Sequence, residues 1–82
     1  MTRHRSNRHA LGATLRDFRE RRGFSQEQLG YAAGLHRTYI GGVERGERNP
    51  SFDSIDRILR AVGMNWEVFG RVLEERAKQS RR

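Results

Sequence analysis

Between residues 25 and 51 the chain runs SQEQLGYAAGLHRTYIGGVERGERNPS, and this stretch leaves the fold little freedom. Ser25 precedes an apolar pattern and Gln28 follows three residues later. In this S-x-x-Q arrangement each side chain satisfies a backbone N–H that a helix start leaves free. Phe24 and Leu29 stand on either side of that cap, at the positions of a hydrophobic staple. The helix so opened, about residues 26–33, turns Leu29, Ala32 and Ala33 inward. It stops at Gly34, where a left-handed backbone costs glycine little. Leu35 follows as an apolar plug. A second short helix, about residues 36–45, carries Ile40 and Val43 on its buried side, and Gly46 can end it. Arg45, Glu47, Arg48 and Asn49 form a polar loop, and Pro50 prevents a simple continuation. Two short helices joined by a tight turn are the result.

The flanks extend the helical pattern. Leu11, Leu15, Phe18 and Arg22 recur at helical spacing, with Ser6 or Asn7 able to cap their helix and Gly23 beyond its end. Ser51 is a candidate cap for a fourth helix, whose stripe is Phe52, Ile55, Ile58, Leu59 and Val62, and Gly63 ends it. Asn65 can cap a fifth, with Trp66, Phe69, Val72, Leu73 and Ala77 at roughly i, i+3, i+7 spacing. No run alternates in the β manner and no repeat is present. The expected fold is all-α, five helices in one domain, as 82 residues allow. A chain of this size buries only about 60–65% of its unfolded surface, so the core is small and a partner subunit would enlarge it.

The net charge of +7 is less informative than its placement. Residues 1–9 hold Arg3, Arg5 and Arg8 with no acid, and residues 76–82 hold Arg76, Lys78, Arg81 and Arg82 with no acid. Residues 10–75 carry ten basic and ten acidic side chains. The expected organisation is a basic N-terminal arm (1–9), a neutral body (10–75) and a basic C-terminal tail (76–82). Such tails are either solvated or attract polyanions, DNA by counterion release or anionic lipid by its surface potential. Charge alone does not choose between them.

Several classes are disfavoured. The absence of cysteine excludes disulfides and thiolate metal sites. His4, His9 and His36 lack metal-ligand spacing, so no metal and no cofactor is expected. No Ser/His/Asp or paired-carboxylate arrangement stands out, and no enzyme is expected. No apolar run approaches the ~20 residues of a membrane span, and the opening MTRHRSNRH lacks the apolar segment of a signal peptide. A cytoplasmic protein without membrane contact or small-molecule ligand is the expectation.

In register, SQEQL, AGL, YI, VERG and NPS resemble the lambda-repressor-like, XRE-type helix-turn-helix family. Leu15-Arg16 and Phe18-Arg19 in the first helix match as well, so the resemblance covers roughly residues 10–70. The run GLHRTYIGGVERGERNPS is similar to small bacterial regulators that include the controller proteins of restriction-modification systems. The resemblance implies a compact five-helix domain whose third helix lies in the major groove of DNA. It implies Arg37 and Thr38 as base readers: Arg37 can donate twice to guanine O6 and N7, and Thr38 offers a hydroxyl and a methyl. Gln26, at the start of the second helix, and Arg45, Arg48 and Asn49 in the loop are implied phosphate contacts. Tyr39 either lies against the sugar-phosphate backbone or turns partly into the core.

Arg19 and Glu44 stand where many relatives carry a partly buried ion pair, and are expected to fix the angle of the third helix. Gly41-Gly42 departs from the family, which usually places polar side chains there. Two glycines in a helix cost about 0.8–1.0 kcal/mol each relative to alanine. Either a close approach, to DNA or to a packing helix, or simple drift accounts for them. Trp66, Phe69, Val72 and Leu73 exceed what a small core needs near its end and are expected to form a homodimer interface. The leading function is a sequence-specific, dimeric transcriptional regulator on a pseudo-palindromic site in double-stranded DNA. The alternative is a protein-interaction module on the same fold, an antitoxin or bridging factor, with only nonspecific nucleic-acid affinity.

Overall fold

The computed structural model describes residues 3–80. Five helices follow one another: α1 (Arg3–Arg21), α2 (Gln26–Ala33), α3 (Arg37–Glu44), α4 (Phe52–Val62) and α5 (Trp66–Ser80). Among the described residues there is no strand.

The caps follow the side chains. Ser25 Oγ accepts from Gln28 N at 3.0 Å while Gln28 Oε1 accepts from Ser25 N at 2.8 Å, closing the reciprocal box at the start of α2. Gly34 ends α2 at φ 71°, a conformation that an L side chain resists. Ser51 Oγ accepts from Ser54 N at 3.1 Å and Asn65 Oδ1 from Val68 N at 2.8 Å, starting α4 and α5.

Two boundaries differ from the sequence expectation. α1 begins at Arg3, so Ser6 and Asn7 lie within it and do not cap it. α3 begins at Arg37, and His36 stands before it as the cap: its Nδ1 accepts from Thr38 N at 3.0 Å. Imidazole offers the same kind of lone pair as a cap oxygen, though histidine is outside the usual capping set.

The core is one cluster drawn from every helix, with Leu15, Phe18, Leu29, Ile40, Val43, Ile58, Leu59 and Phe69 buried. Each such side chain contributes about 1.5–3 kcal/mol by leaving water. The α1 and α3 backbones touch at Gly12, where an added Cβ would meet the carbonyl oxygens of Val43 and Glu44. That contact seats the last turn of α3 directly on α1. Phe18 and Phe69 meet edge to face at 6.3 Å, tying α5 to the same core. Phe69 is therefore an internal residue, 3% exposed, and the expectation that it lines a subunit interface is corrected. A domain with only one core spends the α5 aromatic that faces α1 there, while Trp66 at the start of α5 stays partly exposed.

Candidate nucleic-acid interface

The first turn of α3 carries Arg37 and Thr38, both exposed, while Ile40 and Val43 bury the opposite side of the same helix. His36 shapes this entrance. Because its Nδ1 accepts from a backbone N–H, the neutral ring holds its proton on Nε2, a donor beside Arg37. Sequence reasoning placed His36 within α3 and missed this role; its position just before an Arg-Thr helix start was the available signal.

The orientation of α3 is held by charge. Arg19 grips Glu44 with two hydrogen bonds, Nε to Oε2 at 2.6 Å and Nη2 to Oε1 at 3.0 Å, and its Nη1 donates to Phe24 O at 2.6 Å. The side chains of the pair are 9% and 3% exposed. The bond to Glu44 holds the Arg19 guanidinium above its ordinary value, outweighing the opposing effect of burial. Gln26 Nε2 also donates to Glu44 Oε1, at 3.0 Å. The start of α2 and the end of α3 are thus fastened to α1 through one carboxylate. Gln26 is half-buried in this network and keeps its Oε1 and second amide hydrogen for other partners.

Tyr39 turns partly inward. It is half-buried, its hydroxyl donates to Ser54 Oγ at 3.2 Å, and the Arg48 guanidinium lies 5.6 Å from its ring centroid. Arg45 pairs with Glu47 at 3.1 Å on the surface, and Asn49 is exposed. Arg37, Thr38, Arg45, Arg48 and Asn49 therefore share accessible positions along α3 and its following loop, with Gln26 beneath them.

The glycine pair gives up its space to this basic set. A Cβ on Gly41 would lie 3.0 Å from Arg45 Nη1 and 3.3 Å from Gln26 Oε1, and one on Gly42 would lie 2.8 Å from Arg48 Cγ. The middle of α3 is a bed on which two arginines rest. The close approach is to these two arginines and, at Gly41, also to Gln26 of the packing helix α2.

A family model described as a helix-turn-helix domain matches residues 10–67. The chain belongs to the lambda-repressor-like, XRE-type helix-turn-helix family. It is 44% identical over 55 residues to the control protein C.BamHI of Bacillus amyloliquefaciens, covering 66% of this chain and 68% of that one. To the control protein C.SmaI of Serratia marcescens it is 45% identical over 58 residues, covering 71% and 67%. Among solved structures, the restriction-modification controller protein C.Esp1396I, as a tetramer on its natural 35 base-pair operator, superposes with a TM-score of 0.80. The identity there is 30%, over 87% of this chain and 93% of that chain. A helix-turn-helix regulator of this family binds double-stranded DNA to control transcription, and α2, the turn at Gly34 and α3 form the motif.

Among the described residues no helix is long and apolar enough to cross a membrane, and no three His, Cys, Asp or Glu side chains group as metal ligands.

Proposed function

We propose that this chain acts as a controller-type regulator, in the cytoplasm and without a catalytic step, binding a pseudo-palindromic operator as a homodimer with α3 in the major groove. The observation that carries this reading is the first turn of α3: Arg37 and Thr38 face outward from a helix whose other side is buried and whose end is locked by Arg19, Glu44 and Gln26. A reading helix must be presented rigidly for a two-hydrogen-bond contact to discriminate bases. Arg45, Arg48 and Asn49 then hold phosphates, fixing register without carrying sequence information. The ring of Tyr39, held by Ser54, gives Arg48 a support from which to reach the backbone.

The homodimer rests on α5 and the start of α4. Trp66 stacks on Phe52 at 4.5 Å with rings 10° from parallel, and Phe52 is 72% exposed. Val72 and Leu73 are only partly covered. Phe52 takes the place in this patch that Phe69 leaves. Two reading helices joined this way address half-sites one DNA turn, about 34 Å, apart.

Selection of binding sites from random duplex DNA tests the reading. The expected outcome is a short, two-fold symmetric consensus. Arg37→Ala relaxes it at one base position per half-site, worth about 1–3 kcal/mol of discrimination. Arg48→Ala weakens all sequences alike and lowers the salt slope by about one per protomer. Equal binding of every sequence by the unaltered protein overturns it.

A further inference from the structure

The first half of α1 and the last turns of α5, far apart in sequence, lie side by side. α1 and α5 are antiparallel: Phe18 meets Phe69, Asp17 meets Arg76 at 3.5 Å, and His9, Ala10, Ala13 and Arg16 share a cavity of about 550 Å³ with Arg76 and Gln79. The first half of α1 therefore runs beside the last turns of α5. From Arg3 to Arg16 the chain has no acidic residue, and from Arg76 onward it has none. The acid-free lengths coincide at one end of the bundle.

That end adjoins the C-terminal end of α3. Arg45 lines the same cavity, as does Glu44, whose side chain is 3% exposed and already held by Arg19 and Gln26. The His9 ring sits against Gly46, with Nδ1 3.0 Å from where an added Cβ would be. When the first turn of α3 enters the groove, its last turn and the loop after it stand over the groove edge, where the phosphates are. From His9 back to Arg3 the helix continues for about 9 Å at 1.5 Å per residue, away from the reading turn.

We infer that the juxtaposed ends of α1 and α5 form a second DNA-binding surface, which grips backbone phosphates flanking the operator and reads no bases. It rests on the proposed function only in taking DNA as the partner of α3. The surface divides the work within the chain: α3 chooses the site, and the paired helix ends supply salt-dependent affinity outside it. The exposed pairs on its border, Arg45–Glu47 and Arg16–Glu20, offer little resistance, because such pairs exchange readily for phosphate.

The test uses the full chain and two duplexes, the selected site trimmed to its symmetric consensus and the same site extended by about one helical turn on each side. The triple variant Arg3→Gln, Arg5→Gln, Arg8→Gln keeps helix-forming side chains of similar reach, and Lys78→Gln probes the α5 side; circular dichroism checks the fold. On the extended duplex the triple variant is expected to lower the salt slope by about 2.7 per protomer, at about 0.9 per phosphate neutralised, and so by about 5.4 for the dimer. Between 50 and 200 mM salt wild type then loses about 40-fold more affinity than the variant for each protomer on the duplex, by the same relation. Lys78→Gln shifts the slope by about one per protomer in the same direction. On the trimmed duplex both variants match wild type, and on neither duplex does the preference for the consensus change.

An unchanged slope overturns the inference. So does an equal loss on both duplexes, which would place these side chains on the operator itself. Tighter binding to vesicles of 30% phosphatidylserine in phosphatidylcholine than to the extended duplex also overturns it. If selection yields no consensus, the proposed function fails alone, because the slope difference is still measurable on a duplex of arbitrary sequence.

Discussion

Glu44 and Asp56 do similar chemistry at different depths. Each carboxylate takes an arginine and one further side-chain N–H: Glu44 from Arg19 and Gln26, Asp56 from Arg60 and Trp66. The Glu44 side chain is 3% exposed, whereas that of Asp56 is 28% exposed and faces solvent on the α4–α5 corner. Around Glu44, water is excluded and every polar partner is supplied by α1, α2 or the chain after α1. Around Asp56, water competes for every bond. The contrast teaches where this small domain needs rigidity: at the end of the reading helix, and much less at the corner that fastens α5.

The largest expected effect breaks the buried side of that comparison. Glu44→Ala strands the Arg19 guanidinium beneath α3 and is expected to lower the unfolding free energy by about 3–5 kcal/mol, as for other buried pairs cut on one side. Urea denaturation with an unchanged m-value measures it. A loss under about 1 kcal/mol would put the pair in the surface class and remove the distinction from Asp56. Because Arg19 is held above its ordinary value, its contribution is complete below the unfolded value and is lost only as pH rises through the folded one. This stabilisation is therefore constant through the neutral range.

His36, at the opposite end of α3 from Glu44, is an exposed acceptor with one backbone bond. His36→Ala removes the cap of α3 and is expected to cost about 0.5–2 kcal/mol, while His36→Asn, which keeps an acceptor, costs a few tenths. Thermal unfolding of both variants checks the order. Equal losses would show that the cap bond contributes nothing and that the ring acts only by its bulk. Imino ¹⁵N shifts of the wild-type ring sharpen the point, since an accepting Nδ1 requires the proton on Nε2.

Much of this was legible before the structure. The Ser25–Gln28 box, the stop at Gly34 and the caps at Ser51 and Asn65 are local events, and local pattern announces them. The Arg19–Glu44 link was legible by resemblance alone, because no spacing in one sequence joins residues 19 and 44. Phe69 was misplaced for a physical reason: helical periodicity identifies the apolar stripe of α5 but not which member faces α1 and which faces out. The role of Gly41-Gly42 was closed to sequence reading, since the atoms that fill the missing side chains belong to residues 26, 45 and 48. The meeting of the two basic ends was equally hidden. It depends on the antiparallel run of α1 and α5, which nothing in either segment specifies.

The smallest effect is expected at Asp56. The Trp66 indole N–H, and then the Arg60 guanidinium, hold its carboxyl below the ordinary carboxylate value. A depressed acid stabilises the fold at pH above its unfolded value, and the stabilisation is lost as pH falls through the folded value. Asp56→Asn keeps an oxygen for the indole but removes the charge. Its thermal midpoint is therefore expected to lie slightly below wild type at neutral pH. The two should converge as pH drops below the ordinary aspartate value of about 3.9. Trp66 is the chain's single tryptophan, so its fluorescence reports the titration directly. A gap between the variants that persists undiminished in acid would mean that the carboxylate charge is irrelevant and that packing of Trp66 on Phe52 alone holds this corner. In that case water has screened Asp56 completely, and the contrast with Glu44 is sharper than the hydrogen-bond distances suggest.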